Sequence, residues 1–185
     1  MSEWQYQDSA GYSLPNQPGS LMLFSAQNGN ADLNTGRFSG FMQENISFSG
    51  ARAFTLQAGA RFNYNTLNRE LLVSPRLAFS WKPKKASQDI VYRGSFGIYD
   101  QPPFYRELRK PDGSLNTMLK AQKSWQLTAG ADFNFHANEK PFRLALEAYY
   151  KNLWDVNPYD IDNVHIQYYG NNNAKAYAMG IEGRL

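Results

Sequence analysis

The side chains that most often carry chemistry are few and scattered in this 185-residue chain. Its two histidines, His136 and His165, lie at ligand spacing neither from each other nor from a paired carboxylate. Asp155, Asp160 and Asp162 offer the oxygen ligands that calcium takes. They lack the glycine and closing glutamate of a regular calcium loop, so solvated loop acids are the expectation. Cysteine is absent, which removes thiolate ligands, disulfides and redox chemistry together. No nucleophile, base and orienting group recur at usable spacing, so the sequence predicts neither an enzyme nor a bound metal or cofactor.

Rings are abundant instead, at 15% of residues. Phe104, Tyr105, Arg106, Trp154, Tyr159 and Tyr168 fall in long connections, where exposed rings on a rigid scaffold stack on sugars or chelated organic ligands. They are the candidate ligand contacts. The same rings also fit an aromatic belt at a membrane interface, and both readings stand at this point.

The elements that position them are strands. In Ser124 to Phe135, Trp125, Leu127, Ala129, Ala131, Phe133 and Phe135 alternate with Ser124, Gln126, Thr128, Gly130, Asp132 and Asn134, the period of two that puts successive side chains on opposite faces. After a turn at His136 to Pro141, the run Phe142 to Lys151 alternates again. Phe142, Leu146, Tyr149 and Leu153 also stand at helical spacing there, so the strand assignment leans on pairing with its neighbour. Both runs carry their rings at the ends and small aliphatic residues in the middle. A lipid-facing band between two aromatic girdles has that distribution, while a half-buried soluble sheet shows the same alternation.

Ser2 to Asp8 is expected to end a strand, and Ser9 to Gly36, rich in Gly, Asn, Ser and Pro, to form a long loop. Strands follow at Arg37 to Phe48, whose faces the pattern does not assign, Ala53 to Asn65, Glu70 to Trp81 and Asp89 to Tyr99. Pro75 predicts a bulge or a break in pairing, because proline donates nothing to a ladder. Asp100 to Lys123 and Asn152 to Val164 are long connections, with a short strand at His165 to Tyr168 and a last one at Tyr177 to Leu185. Long loops near 22, 112 and 158 alternate with short turns near 50, 84 and 138, with the short Thr66 to Arg69 turn as the exception on the long side. Length segregated by rim is an outer-membrane barrel trait. The fold class is therefore all-β: an antiparallel meander of about eight strands, part of a transmembrane β-barrel.

Composition agrees. Mean hydropathy is -0.60 and no apolar run approaches the ~18 residues a spanning helix needs, whereas barrel strands need only alternate residues to be apolar. Net charge is +3, with 19 basic and 16 acidic residues dispersed along the chain, so nucleic-acid binding gains no support. The cluster Lys82, Lys84 and Lys85 reads as a solvated turn. No secretory leader opens the numbering.

The motifs resemble, in order, those of the C-terminal half of the barrel of a TonB-dependent outer-membrane receptor. AGARFNY (Ala58 to Tyr64) resembles that family's GxR strand, SPRLAFSWKP (Ser74 to Pro83) its sPRl strand, and YRGSFGIYDQPPFYREL (Tyr92 to Leu108) its G-x-Y-x-Q-P-P segment. LKAQKSWQLTAGADF (Leu119 to Phe133), EAYYKNLWDVNPYD (Glu147 to Asp160) and GIE (Gly180 to Glu182) follow collinearly. Each motif is a strand pattern with a few fixed letters, but together they span nearly the whole chain.

The resemblance implies an outer-membrane active-transport receptor, energised by the TonB system, that takes up a siderophore, glycan or other nutrient. It implies as partners outer-membrane lipid, a plug and the rest of the receptor barrel, with no nucleic acid. It also implies a barrel of about 22 strands, so residues 1–185 are expected to be a partial barrel domain, truncated at both ends. Arg61, Arg76, Arg93, Asp132, Glu147, Glu182 and Arg184 are expected to face the lumen. The alternative is a soluble antiparallel β-sheet module that binds a ligand of carbohydrate type.

Overall fold

The computed structural model describes residues 2–17, 20–49, 52–83, 89–110, 112–162 and 165–185. Among them are β1 (Ser2–Gln17), β2 (Ser20–Thr35), β3 (Arg37–Ser49), β4 (Arg52–Asn65), β5 (Glu70–Pro83), β6 (Asp89–Gln101), β7 (Gln122–Ala137), β8 (Lys140–Val156), β9 (Tyr159–Asp162), β10 (His165–Tyr168) and β11 (Ala174–Arg184), with one turn of 3-10 helix at Tyr105–Leu108. Seven strands form one antiparallel sheet in the order β11-β8-β7-β6-β5-β4-β3, and β1-β2 and β9-β10 are separate hairpins. The meander holds from β3 to β8. The step from β8 to β11 passes over the β9-β10 hairpin.

Register decides the faces. Gln43, Gly59, Arg76 and Gly97 stand in one row across β3 to β6, and Arg93, Gly130, Glu147 and Glu182 in another across β6, β7, β8 and β11. Both rows lie on the polar face. The faces of β3 are thereby settled: Phe41 lies on the polar face opposite Arg61, and Glu44 on the apolar face opposite Ala58.

Burial runs opposite to that of a water-soluble sheet. The buried side chains of the seven strands, Asn63, Asn65, Leu72, Ser74, Ser124 and Asp132, all belong to the polar face. Apolar-face residues are exposed, among them Phe38, Leu71, Leu77, Phe96, Leu127, Leu146, Met179 and Ile181. The sheet thus curls around its polar side and turns its apolar side outward, the arrangement of a membrane-spanning barrel wall.

Rings mark both ends of the outward face. Phe48 and Phe54 lie 6.0 Å apart between ring centroids, Trp81 and Tyr92 5.5 Å, and Phe135 and Phe142 5.7 Å, toward the short turns. Toward the long loops a ladder runs from Phe96 through Trp125 and Tyr150 to Tyr177. Ten residues separate Trp125 from Phe135, roughly 33 Å along a strand, or about 25 Å across a bilayer at barrel tilt, matching a lipid-facing band.

Three local features depart from a plain ladder. Pro75 causes no bulge against β4, where it faces Ala60, but β5 pairs with β6 only from Arg76 to Trp81. The expected break therefore falls on one side alone. Asp155, at φ 54, forms a bulge where β8 gains a residue against β11. Asn138 and Glu139, at φ 49 and 63, join β7 to β8 by two left-handed residues, as a type I′ hairpin requires.

Two expected loops are corrected. Ser9 to Gly36 is no loop: β1 and β2 pair antiparallel from Ser2↔Thr35 to Gln17↔Ser20. This ladder lies outside the seven-stranded sheet. Asn152 to Val164 is likewise not one connection, since β8 continues to Val156 and β9 follows at Tyr159. The expected turn around Lys84 and Lys85 lies outside the described residues.

Candidate functional site

The long connections and the Thr66–Arg69 turn share one rim, and side-chain hydrogen bonds knit them into a cap. The 102–121 connection leaves β6 through Pro102 and Pro103, whose fixed φ feeds the turn of helix at Tyr105. Glu107 closes that turn. Its N–H donates to the Phe104 carbonyl at 2.9 Å, and its carboxylate accepts the Phe104 N–H at 3.0 Å and Gln122 Nε2 at 3.3 Å. Burial pushes the Glu107 carboxyl above its usual range, against the pull of these two bonds.

Just after it, Leu108, Leu119 and Ala121 are fully buried, with Leu72 close behind. With Pro103, which is buried as well, they put the apolar core beneath the cap and not between the strands. Three asparagines bind the cap together. Asn157 donates to the Glu107 carbonyl at 3.1 Å and accepts the Asn171 N–H at 3.2 Å. Asn116 donates to the Gly170 carbonyl at 2.8 Å. Asn172 both accepts from Lys120 N–H at 2.8 Å and donates to its carbonyl at 3.0 Å, as a strand neighbour does, and reaches the Asp155 carbonyl at 2.7 Å.

On the other side Asn68 donates to the Leu119 carbonyl at 2.9 Å, and Glu70 accepts the Ala121 N–H at 2.8 Å. Lys123 then bridges Glu70 at 3.3 Å and Asp155 at 3.1 Å. These amides and ions satisfy backbone that leaves the ladder, which a buried loop requires.

The six ring and arginine candidates divide. Phe104, Tyr105 and Tyr159 are exposed on the cap. Tyr159 and Tyr168 face each other across β9 and β10 with centroids 5.8 Å apart, and Arg106 donates to the Ile166 carbonyl at 3.3 Å, tying helix to hairpin. Trp154 is not on a loop; it stands in β8 opposite Lys123, which suits the belt reading of that ring. The cap also exposes Met118, Ile161 and Tyr169, residues that no periodicity singled out.

All seven charged candidates, Arg61, Arg76, Arg93, Asp132, Glu147, Glu182 and Arg184, occupy the polar face by register. The structure joins two of them. Arg93 and Arg143 both donate to the buried Asp132 carboxylate, at 3.0 and 2.8 Å. Arg143 was legible only as an alternating strand residue. Glu147 and Glu182 stand directly opposite each other, like charges on one face. Ser95 and Thr128 share a hydrogen bond of 2.7 Å, and Ser74 donates to Asp100 at 2.8 Å where β5 and β6 part. No cluster of three or more metal-ligating residues exists among the described residues.

The family model for the TonB dependent receptor-like β-barrel matches residues 1–185. Searches of curated proteins and of solved structures returned no match. That family comprises outer-membrane transport receptors. Its barrels expose apolar residues outward, face polar ones inward and carry long loops on one rim, and the wall and cap described above have each of these traits. The chain belongs to the TonB-dependent receptor-like β-barrel family.

Proposed function

We propose that this chain forms part of the wall and the outer cap of an outer-membrane receptor for active uptake, energised by the TonB system. The observation that carries the reading is the inverted burial of the sheet, with polar residues buried and apolar residues exposed between two aromatic bands. Residues 1–185 are a partial barrel domain in this reading, with a plug and further strands completing the receptor. The polar face then looks into the lumen, and the cap rim points away from the cell.

Phe104, Tyr105, Arg106, Tyr159 and Tyr168 form the first contact for a ligand such as a siderophore or glycan, because rings on a fixed cap stack on flat or sugar-like groups at low entropic cost. The soluble carbohydrate module fits less well, since it would leave the apolar face of seven strands in water.

Expression of the whole receptor in a Gram-negative host tests this. Recovery in outer membranes, heat-modifiable migration, and uptake of a labelled siderophore or oligosaccharide that a protonophore abolishes are the expected results. A water-soluble monomer overturns the reading.

A further inference from the structure

The outward face of the wall carries one residue that lipid does not explain. Between the two bands of rings, register fills that face with apolar side chains and, among the described residues, a single ionisable one, Glu44. Phe48, at the short-turn end of β3, is four residues away, about 13 Å along a strand and ~9 Å in depth at barrel tilt. Phe38, at the other end, is six residues away. Glu44 thus sits well inside the apolar band, and it is exposed there. Ala58 stands directly opposite on β4, Leu56 and Ala60 diagonally, and Met42 and Ile46 lie two positions along β3. None of these side chains offers a cation or a hydrogen-bond donor. Among the described residues no ion pair engages the carboxyl.

Beside Glu44 the wall is shallow. Gly40, Ala58, Ala60 and Pro75 share its face, and a β-carbon on Gly40 would meet nothing within 4 Å. Lipid tails give a carboxyl nothing to bond, and they are as apolar as the rest of this face, so apolar contact alone gives two walls no reason to associate. The polar group is what selects a partner. Receptors inserted the same way are related by an axis along the membrane normal, and a two-fold of that kind brings a residue to its own counterpart at equal depth. A carboxyl suits its own counterpart, because one that carries a proton is donor and acceptor at once. Lysine or arginine in its place would repel its copy.

We propose that the outward face of β3 and β4 docks a second copy of this chain within the membrane. The two Glu44 carboxyls hydrogen-bond to each other across the two-fold axis, and the open ground around Gly40, Ala58 and Ala60 lets the walls close. The inference rests on the outer-membrane reading of the wall, though not on uptake.

The whole receptor in lipid vesicles tests it, with the dimer fraction read by energy transfer between labelled copies as lipid is added. A reversible equilibrium that dilution in lipid shifts to monomer is the expected result. E44A lowers the association constant roughly tenfold, the worth of one hydrogen bond between membrane segments, and E44K abolishes association. E44Q, whose amide is again donor and acceptor, keeps most of it. G40L leaves the carboxyl in place yet weakens association by filling the open ground. L127A, on the same face but in β7, changes nothing. Heat-modifiable migration of each variant reports the embedded barrel independently, so a folded wild-type monomer overturns the dimer and leaves the receptor reading standing. The 185 residues hold no cysteine, so M42C gives a second readout in native outer membranes. Oxidation should yield a product of twice the receptor mass, and none with L127C. A cross-link to a protein of another mass overturns the proposal. So does association that E44A and E44K leave untouched, because Glu44 is then paired within its own barrel.

Discussion

Glu107 shows what a single buried carboxyl does to the cap. Its pKa is raised by burial, so the folded cap binds a proton more readily than the unfolded chain does. Its contribution is fully present below the unfolded value and is lost as pH rises through the raised folded value. Hydrogen exchange at the Leu108 and Leu119 amides should therefore speed up from about pH 4.5 upward, beyond the intrinsic pH dependence, and Glu107→Gln should abolish that extra slope. Asp132→Ala strands Arg93 and Arg143, both of which keep access to water, and should cost about 2 kcal/mol in denaturant unfolding.

At this scale the sequence was partly legible. Charged residues at alternate positions could be assigned to a face, but Asp132 could not be paired. Its partners lie 39 and 11 residues away, a separation that only register supplies. Glu107 and the three asparagines gave no periodic signal, because they serve irregular backbone.

Elements were easier to read, since alternation and turn chemistry are local. The β7-β8 pair emerged from the spacing of Trp125 to Phe135 and of Phe142 to Tyr150, and the register aligns those runs residue by residue. The β1-β2 hairpin did not emerge, because the Gly, Asn, Ser and Pro residues of Ser9 to Gly36 carry little periodicity and read as a loop. Glu44 shows another limit. It interrupts the apolar side of β3 between Met42 and Ile46, and that interruption is why the faces of this strand were unreadable.

Two changes probe the elements. Glu139 adopts a left-handed conformation that glycine takes without strain, so Glu139→Gly should stabilise the β7-β8 turn by about 1 kcal/mol in the midpoint of urea unfolding. Ala129 lies on the outward face opposite Gly94 and Ala148. Ala129→Arg should cost roughly 2 to 4 kcal/mol when unfolding is measured in lipid vesicles, while Thr128→Arg, one residue along on the polar face, should cost far less.

For the whole molecule, the open edges and the exposed apolar face dominate behaviour. β3 and β11 each have one unpaired side in the seven-stranded sheet, and residues such as Phe38, Met179 and Ile181 are exposed. Edges and apolar patches of this kind recruit other chains. In detergent-free buffer the chain should sediment as large assemblies, and detergent above its micelle concentration should reduce them; a sharp monomer without detergent would contradict this. The fold class was legible because length, alternation and loop asymmetry are global averages. The cap was not, because its order comes from contacts between connections.

The meander carries a consequence for time as well as for shape. From β3 to β8 every strand pairs with its immediate successor, so each new pairing except β6 with β7 closes only a short connection. The entropy of bringing distant segments together is thereby spread over many small steps, and low sequence separation of contacts favours fast formation. The long closures are β6 to β7, across 102–121, and β8 to β11, across 157–173, and Asn116, Asn157 and Asn172 bind these two segments to each other. The wall can thus zip strand by strand, with the cap setting the pace of its last seam.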